Sequence, residues 1–167
     1  MLYDGDTFRH NGHSFKVTMP YDDIGEAPWE REDGHGPVSE WTRRDKRPSE
    51  LVLRQDGGSY RYYDFAAAVA LAKRDGWNAE PYSDTETHGQ RAHKAAMADF
   101  SRLRAWCNDQ WQYVGVVVDL LDDDGNEIGE QDSLWGVESD SPDYIEETAR
   151  DCADEILHRL DEALSRA

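Results

Sequence analysis

The chain has 167 residues, the size of one ordinary domain, and six Trp, eight Tyr and four Phe give it enough bulky apolar surface to fold around a core. Its net charge of −18 sets it against nucleic acid and anionic lipid as direct partners and toward basic protein surfaces. No apolar run reaches the roughly 18 residues of a membrane span, and MLYDGDTFRH at the start has neither the basic nor the apolar region of a secretory signal, so a cytoplasmic protein is expected.

In chain order, Asn11-Gly12 interrupts two alternating runs within Thr7–Met19, the pattern of a hairpin with a type I′ turn. Tyr21–Pro37 is rich in Gly, Pro and Asp and reads as an irregular connection, and VSEWTRR (Val38–Arg44) reads as a short strand. Glu50–Asp64 predicts a second hairpin around Asp56-Gly57-Gly58. Asp64 stands as the N-cap of a helix over Phe65–Asp75 that Gly76 ends. A second helix is expected over about Gln90–Asp109, from the spacing of Ala92, Ala96, Phe100, Leu103 and Cys107.

Trp111–Leu121 is a continuous β-branched run and reads as the best-buried strand. DDDGNEIGE turns the chain, SLWGVE returns it, and Ser141-Pro142 opens a last helix. That helix presents Ile145, Ala149, Cys152, Ile156, Leu160 and Leu164 as its buried stripe. The order ββββααββα predicts a single α+β domain over 1–167, with a mainly antiparallel sheet built from hairpins and about three helices on one face.

Enzymatic motifs are scarce. No phosphate-cradling glycine pattern and no nucleophile elbow occurs, and Ser39 has no local orienting partner. Cys107 and Cys152 lie on apolar helix faces and read as inert, reduced thiols. His10 with His13, and His88 with His93, lack the paired ligand blocks of a zinc site. Counted from Asp122, positions six and twelve of the acidic turn hold Glu127 and Ser133, where a calcium loop needs Gly and Glu. No metal, no cofactor and no catalytic residue is therefore assigned.

Charge distribution is more informative than the motifs. Residues 119–167 hold 17 acids and 3 bases, whereas residues 43–104 hold 9 acids and 12 bases. The candidate partner-binding set on the acidic side is Asp122, Asp123 and Asp124 in the turn, with Asp143, Glu147, Asp151, Asp154 and Glu155 on the last helix. At 1.5 Å rise per residue, that helix carries about one carboxylate per 4 Å, close to the phosphate density of a DNA strand. A second set lies in the opening loop: Trp29, His35, Trp41, Arg43 and Arg44. Trp and Arg are common at the energetic centres of interfaces, and the alternative is that the cations pair internally while the indoles pack the loop down.

Four segments are similar to a family of small acidic proteins of tailed bacteriophages and prophages. They are APWEREDGHGPVSEWT (Ala27–Thr42), KRP (Lys46–Pro48), DGW (Asp75–Trp77) and RLRAWCNDQWQYVGV (Arg102–Val116, including WCNDQW). The resemblance spans the first two thirds of the chain and implies an accessory product acting inside a bacterial host. The family supplies no established activity, so no catalytic role is carried over. Together, resemblance and charge lead to the expectation of a phage-encoded anti-defence protein. It would inhibit a host CRISPR effector or restriction enzyme by placing a DNA-mimicking acidic face in its basic groove. The alternative expectation is an interaction module acting on host regulation or phage replication through the Trp29/His35/Trp41 loop. A small hydrolase is the third. The sequence leaves the oligomeric state open, a dimer included.

Overall fold

The computed structural model describes every residue except Tyr82. It is α+β, with β1 (Thr7–His10), β2 (His13–Thr18), α1 (Pro28–Arg31), β3 (Glu50–Asp56), β4 (Ser59–Asp64), α2 (Phe65–Asp75), α3 (His88–Cys107), β5 (Tyr113–Leu121), β6 (Glu127–Glu138) and α4 (Pro142–Arg166). Its strands form two antiparallel sheets rather than the one expected, and the helices divide between them. Two compact units result. One comprises Met1–Gly25 with Trp111–Ala167, and the other comprises Glu26–Gln110.

The first unit is the four-stranded sheet β1-β2-β5-β6 with α4 on it. Asn11 and Gly12 both take positive φ, 46° and 80°, as a type I′ turn requires. β5 is central and buried along its length except at Val117, which explains its unbroken apolar sequence. Val114, Val116, Val118 and Leu120 share a core with Phe15, Val17 and Val137, and Ile145, Ala149, Cys152, Ala153 and Ile156 of α4 close it. The predicted stripe on α4 stops short of its last member, because Leu164 is 74% exposed. α4, at 25 residues, is about 37 Å long. On the opposite face of β5, the Trp135 ring lies 2.7 Å from where a Cβ on Gly115 would stand, so only glycine fits.

The second unit pairs the β3–β4 hairpin with α2 and α3. Asp64 accepts a hydrogen bond from the Ala67 amide and so caps α2, which Gly76 ends in the left-handed conformation at φ 69°. Thr87 and Gln90 form a reciprocal capping box that starts α3 two residues before the sequence-based start. Tyr63, Ala68, Leu53, Ala96, Phe100 and Leu103 make the core, and Ala72, Ala92 and Ala95 extend it as α2 and α3 pack together. Val38–Arg44 is not a strand. It touches β4 through two isolated bridges, Val38 to Tyr63 and Thr42 to Tyr60. Five residues there span four on β4, so a continuous ladder cannot form.

Candidate functional site

The two units differ sharply in charge: the first carries a net −16 and the second −2. The apolar stripe of α4 determines where the acids stand. Because Ile145, Ala149, Cys152 and Ile156 are turned to the sheet, Asp143, Glu147, Asp151 and Glu155 are all turned outward and exposed. Their four-residue spacing stacks them at intervals of about 6 Å along one ridge of the helix. Among the described residues none of the four has an ion-pair partner.

Asp154 is different. Its carboxylate accepts from His10 Nε2 at 2.6 Å and from Asn11 Nδ2 at 3.0 Å, which pins the β1–β2 turn to α4. Arg150 Nη1 donates to His10 Nδ1, so the ring is held between a donor and an acceptor. Asp154 therefore has a structural task, although its side chain stays 55% exposed. Glu146 on the same helix is held below the ordinary carboxylate range, first by Arg150 and then by the N-terminal amine.

In the β5–β6 turn, Asp122 Oδ1 accepts from the amides of Asp124 and Asn126, and these bonds, the one from Asn126 first, lower its pKa. Asp122 thus shapes the turn, and Asp123 and Asp124 are exposed. Ser14 pairs with Leu121, so this turn and the β1–β2 turn share one end of the sheet. Asp154 meets that end. The Asp122–Asp124 cluster and the Asp151–Glu155 end of the α4 ridge consequently belong to one region of the first unit.

The loop residues of the second unit have separate fates. His35 donates from Nδ1 to Asp99 at 2.6 Å, and Asp99 also receives the Gly36 amide and the Tyr63 hydroxyl, both at 2.8 Å. Nε2 of His35 lies 3.5 Å from Glu32. Its pKa is raised, chiefly by the Asp99 hydrogen bond and against burial. Burial is also the main cause that raises the Tyr63 hydroxyl. Gly36 is required here, since a Cβ would come within 2.6 Å of the Tyr63 ring.

Arg44 makes a bidentate pair with buried Glu50, both bonds 2.7 Å, and lies over the Tyr62 ring. That pair, with the Arg47 amide, holds Glu50 at about 2. Arg43 is exposed. Trp29 is half-buried edge-on to Trp106, and Trp41 is 39% exposed. The structure thus ties His35 and Arg44 inward and leaves Trp41 and Arg43 at the surface. Asp99 and Glu50, which organise this region, were not singled out from the sequence, because each is one acid among 36 and its partners lie on other elements.

Both cysteines are free, and burial pushes Cys152 up to about 12. Among the described residues no group of three or more His, Cys, Asp or Glu gathers as metal ligands do, and no helix is long and apolar enough to cross a membrane. Comparison with protein families, curated proteins and solved structures finds no match to this chain.

Proposed function

We propose that the protein is a stoichiometric inhibitor whose first unit presents carboxylates in place of phosphates to the basic groove of a nucleic-acid-binding protein. The observation that carries this reading is the segregation of charge, net −16 against −2, with Asp143, Glu147, Asp151 and Glu155 on one exposed ridge of a buried-backed helix. Solubility alone calls for mixed charges of modest net value, not for a concentration of this kind in one unit. A rigid helix also holds its charges without the ordering cost of a flexible acidic tail. With the phage resemblance, the partner class is a host defence complex in the bacterial cytoplasm, a CRISPR effector or a restriction enzyme. The protein would act by occupying the nucleic-acid channel, without catalysis.

The test is a plating assay in bacterial hosts that carry defined CRISPR or restriction systems. Expression of the protein should restore plating of a sensitive phage on at least one such host. The variant D143N/E147Q/D151N/E155Q should not restore it. Equal rescue by both proteins would overturn the reading.

A further inference from the structure

β3 and β4 place Arg54 directly opposite Arg61. Like charges in a cross-strand pair are unfavourable, and the chain offers 36 acids with which to relieve them. Among the described residues neither arginine forms an ion pair, and neither does the nearby Arg104. Among the described residues the Arg61 guanidinium donates only to the Ser39 carbonyl, and the Arg54 and Arg104 guanidiniums have no hydrogen-bond acceptor.

The three converge all the same. Arg54 and Arg61 lie over the Trp41 ring at 5.9 and 5.3 Å, and Arg61 is also 5.5 Å from Trp29. The charges of all three reach the Cys107 thiol at the end of α3. Arg54, Gln55, Arg104, Cys107 and Asn108 line a cavity of about 300 Å³. The negative end of α3 offsets part of the repulsion, but it consumes none of the guanidinium donors. A guanidinium steadied over an aromatic ring keeps its N–H edge for an oxyanion.

We propose that Arg54, Arg61 and Arg104, with Trp41, form a docking surface for the carboxylates of an acidic peptide segment on a protein partner. Charge complementarity selects the occupant. A peptide brings a few carboxylates to three cations and covers the exposed indole, as interface centres do. A nucleic-acid strand would bring a long run of phosphates toward a chain of net −18. Trp41, already engaged by two guanidiniums, is also not the open stacking platform that bases need. This inference is independent of the acidic-face reading, because every residue in it belongs to the second unit.

The test measures anisotropy of a fluorescein-labelled hexaglutamate peptide, beside a labelled oligothymidine, with the full-length protein. The peptide should bind saturably and the oligothymidine should not. Arg54→Gln should weaken the peptide about tenfold, a loss of about 1.4 kcal/mol, while leaving the melting temperature unchanged or higher, since it removes the cross-strand repulsion. Lys73→Gln, which removes an exposed charge beside Gly89 at the other end of α3 from Arg104, should leave binding unchanged. A lower melting temperature in Arg54→Gln would mean a structural role and overturn the proposal. So would absent peptide binding, equal loss in Lys73→Gln, or oligothymidine binding as tight as the peptide.

Discussion

Replacing His35 by Ala tests whether this histidine is a structural latch, as its geometry implies. The Nδ1–H to Asp99 bond is 2.6 Å, between side chains only 15% and 10% exposed. A hydrogen bond to a charged group at such a site contributes about 2 kcal/mol. When the ring is neutral the bond to the Asp99 carboxylate persists, and only the attraction between opposite charges goes, about 1 kcal/mol of that value. The folded-state pKa lies above the ordinary 6.5. The extra stabilisation is therefore complete below 6.5 and is lost as pH rises through the folded value.

His35→Ala also leaves a cavity, but that cost is the same at every pH. The stability gap between wild type and variant should accordingly narrow by about 1 kcal/mol from acid to alkaline conditions. In a chain of this size that is about 2–4 °C of melting temperature. Tryptophan fluorescence is a suitable probe, since Trp29, Trp41, Trp77 and Trp106 all lie in the second unit. A gap that stays constant, or widens as pH rises, would refute the imidazolium–Asp99 latch.

Gly36→Ala should lower the stability of the second unit by about 1–3 kcal/mol, because the new methyl meets the fully buried Tyr63 ring; the same fluorescence melt checks it. Asp154→Ala should weaken the β1–β2 turn by about 1 kcal/mol, discounted for its half-exposed carboxylate, seen as faster hydrogen exchange at the Asn11-Gly12 turn amides with little change in the amides of β5. D143N/E147Q/D151N/E155Q should keep its helical circular dichroism and melt no lower than wild type. Three like-charge i, i+4 pairs disappear in that variant, each worth a few tenths of a kcal/mol.

Local chemistry was legible wherever one residue type determines one conformation. Asn11-Gly12 and Gly76 require positive φ, and Asp64 caps its own helix within three residues, so turns and helix ends could be placed directly. The Thr87–Gln90 capping box is equally available in the sequence, but the apolar period that predicts α3 begins only at Ala92, which places the start at about Gln90. Pro28 at the first position with Glu30 two residues on, bonded back to the Ala27 amide, likewise marks the short α1 inside a stretch read as irregular. β6 is longer than SLWGVE because Glu127–Asp132 belongs to an edge strand, which does not need apolar residues to hold its ladder.

What the sequence could not supply was long-range assignment. Nothing local separates Glu50 and Asp99, which organise the loop region, from the exposed acids, or Arg44, which is tied to Glu50, from Arg43, which is not. The division into two sheets likewise depends on which hairpin edges meet, and periodicity carries no information about that. The acidic ridge was legible because it needs only the helical period and one buried stripe. The Arg54–Arg61 opposition needs the exact turn: a two-residue loop at Gly57-Gly58 pairs Asp56 with Ser59 and so Arg54 with Arg61, and a hairpin placed only around Asp56-Gly57-Gly58 leaves that register open.

The central claim is that the α4 ridge stands in for phosphates. Its most direct test is capture from bacterial lysate by the tagged protein, repeated with excess duplex DNA and at about 100 and 500 mM salt, with the four-fold neutralised variant alongside. The account predicts a nucleic-acid-binding protein that DNA displaces, that high salt releases, and that the variant fails to hold. A partner retained equally by the variant, at high salt and against DNA, would contradict it.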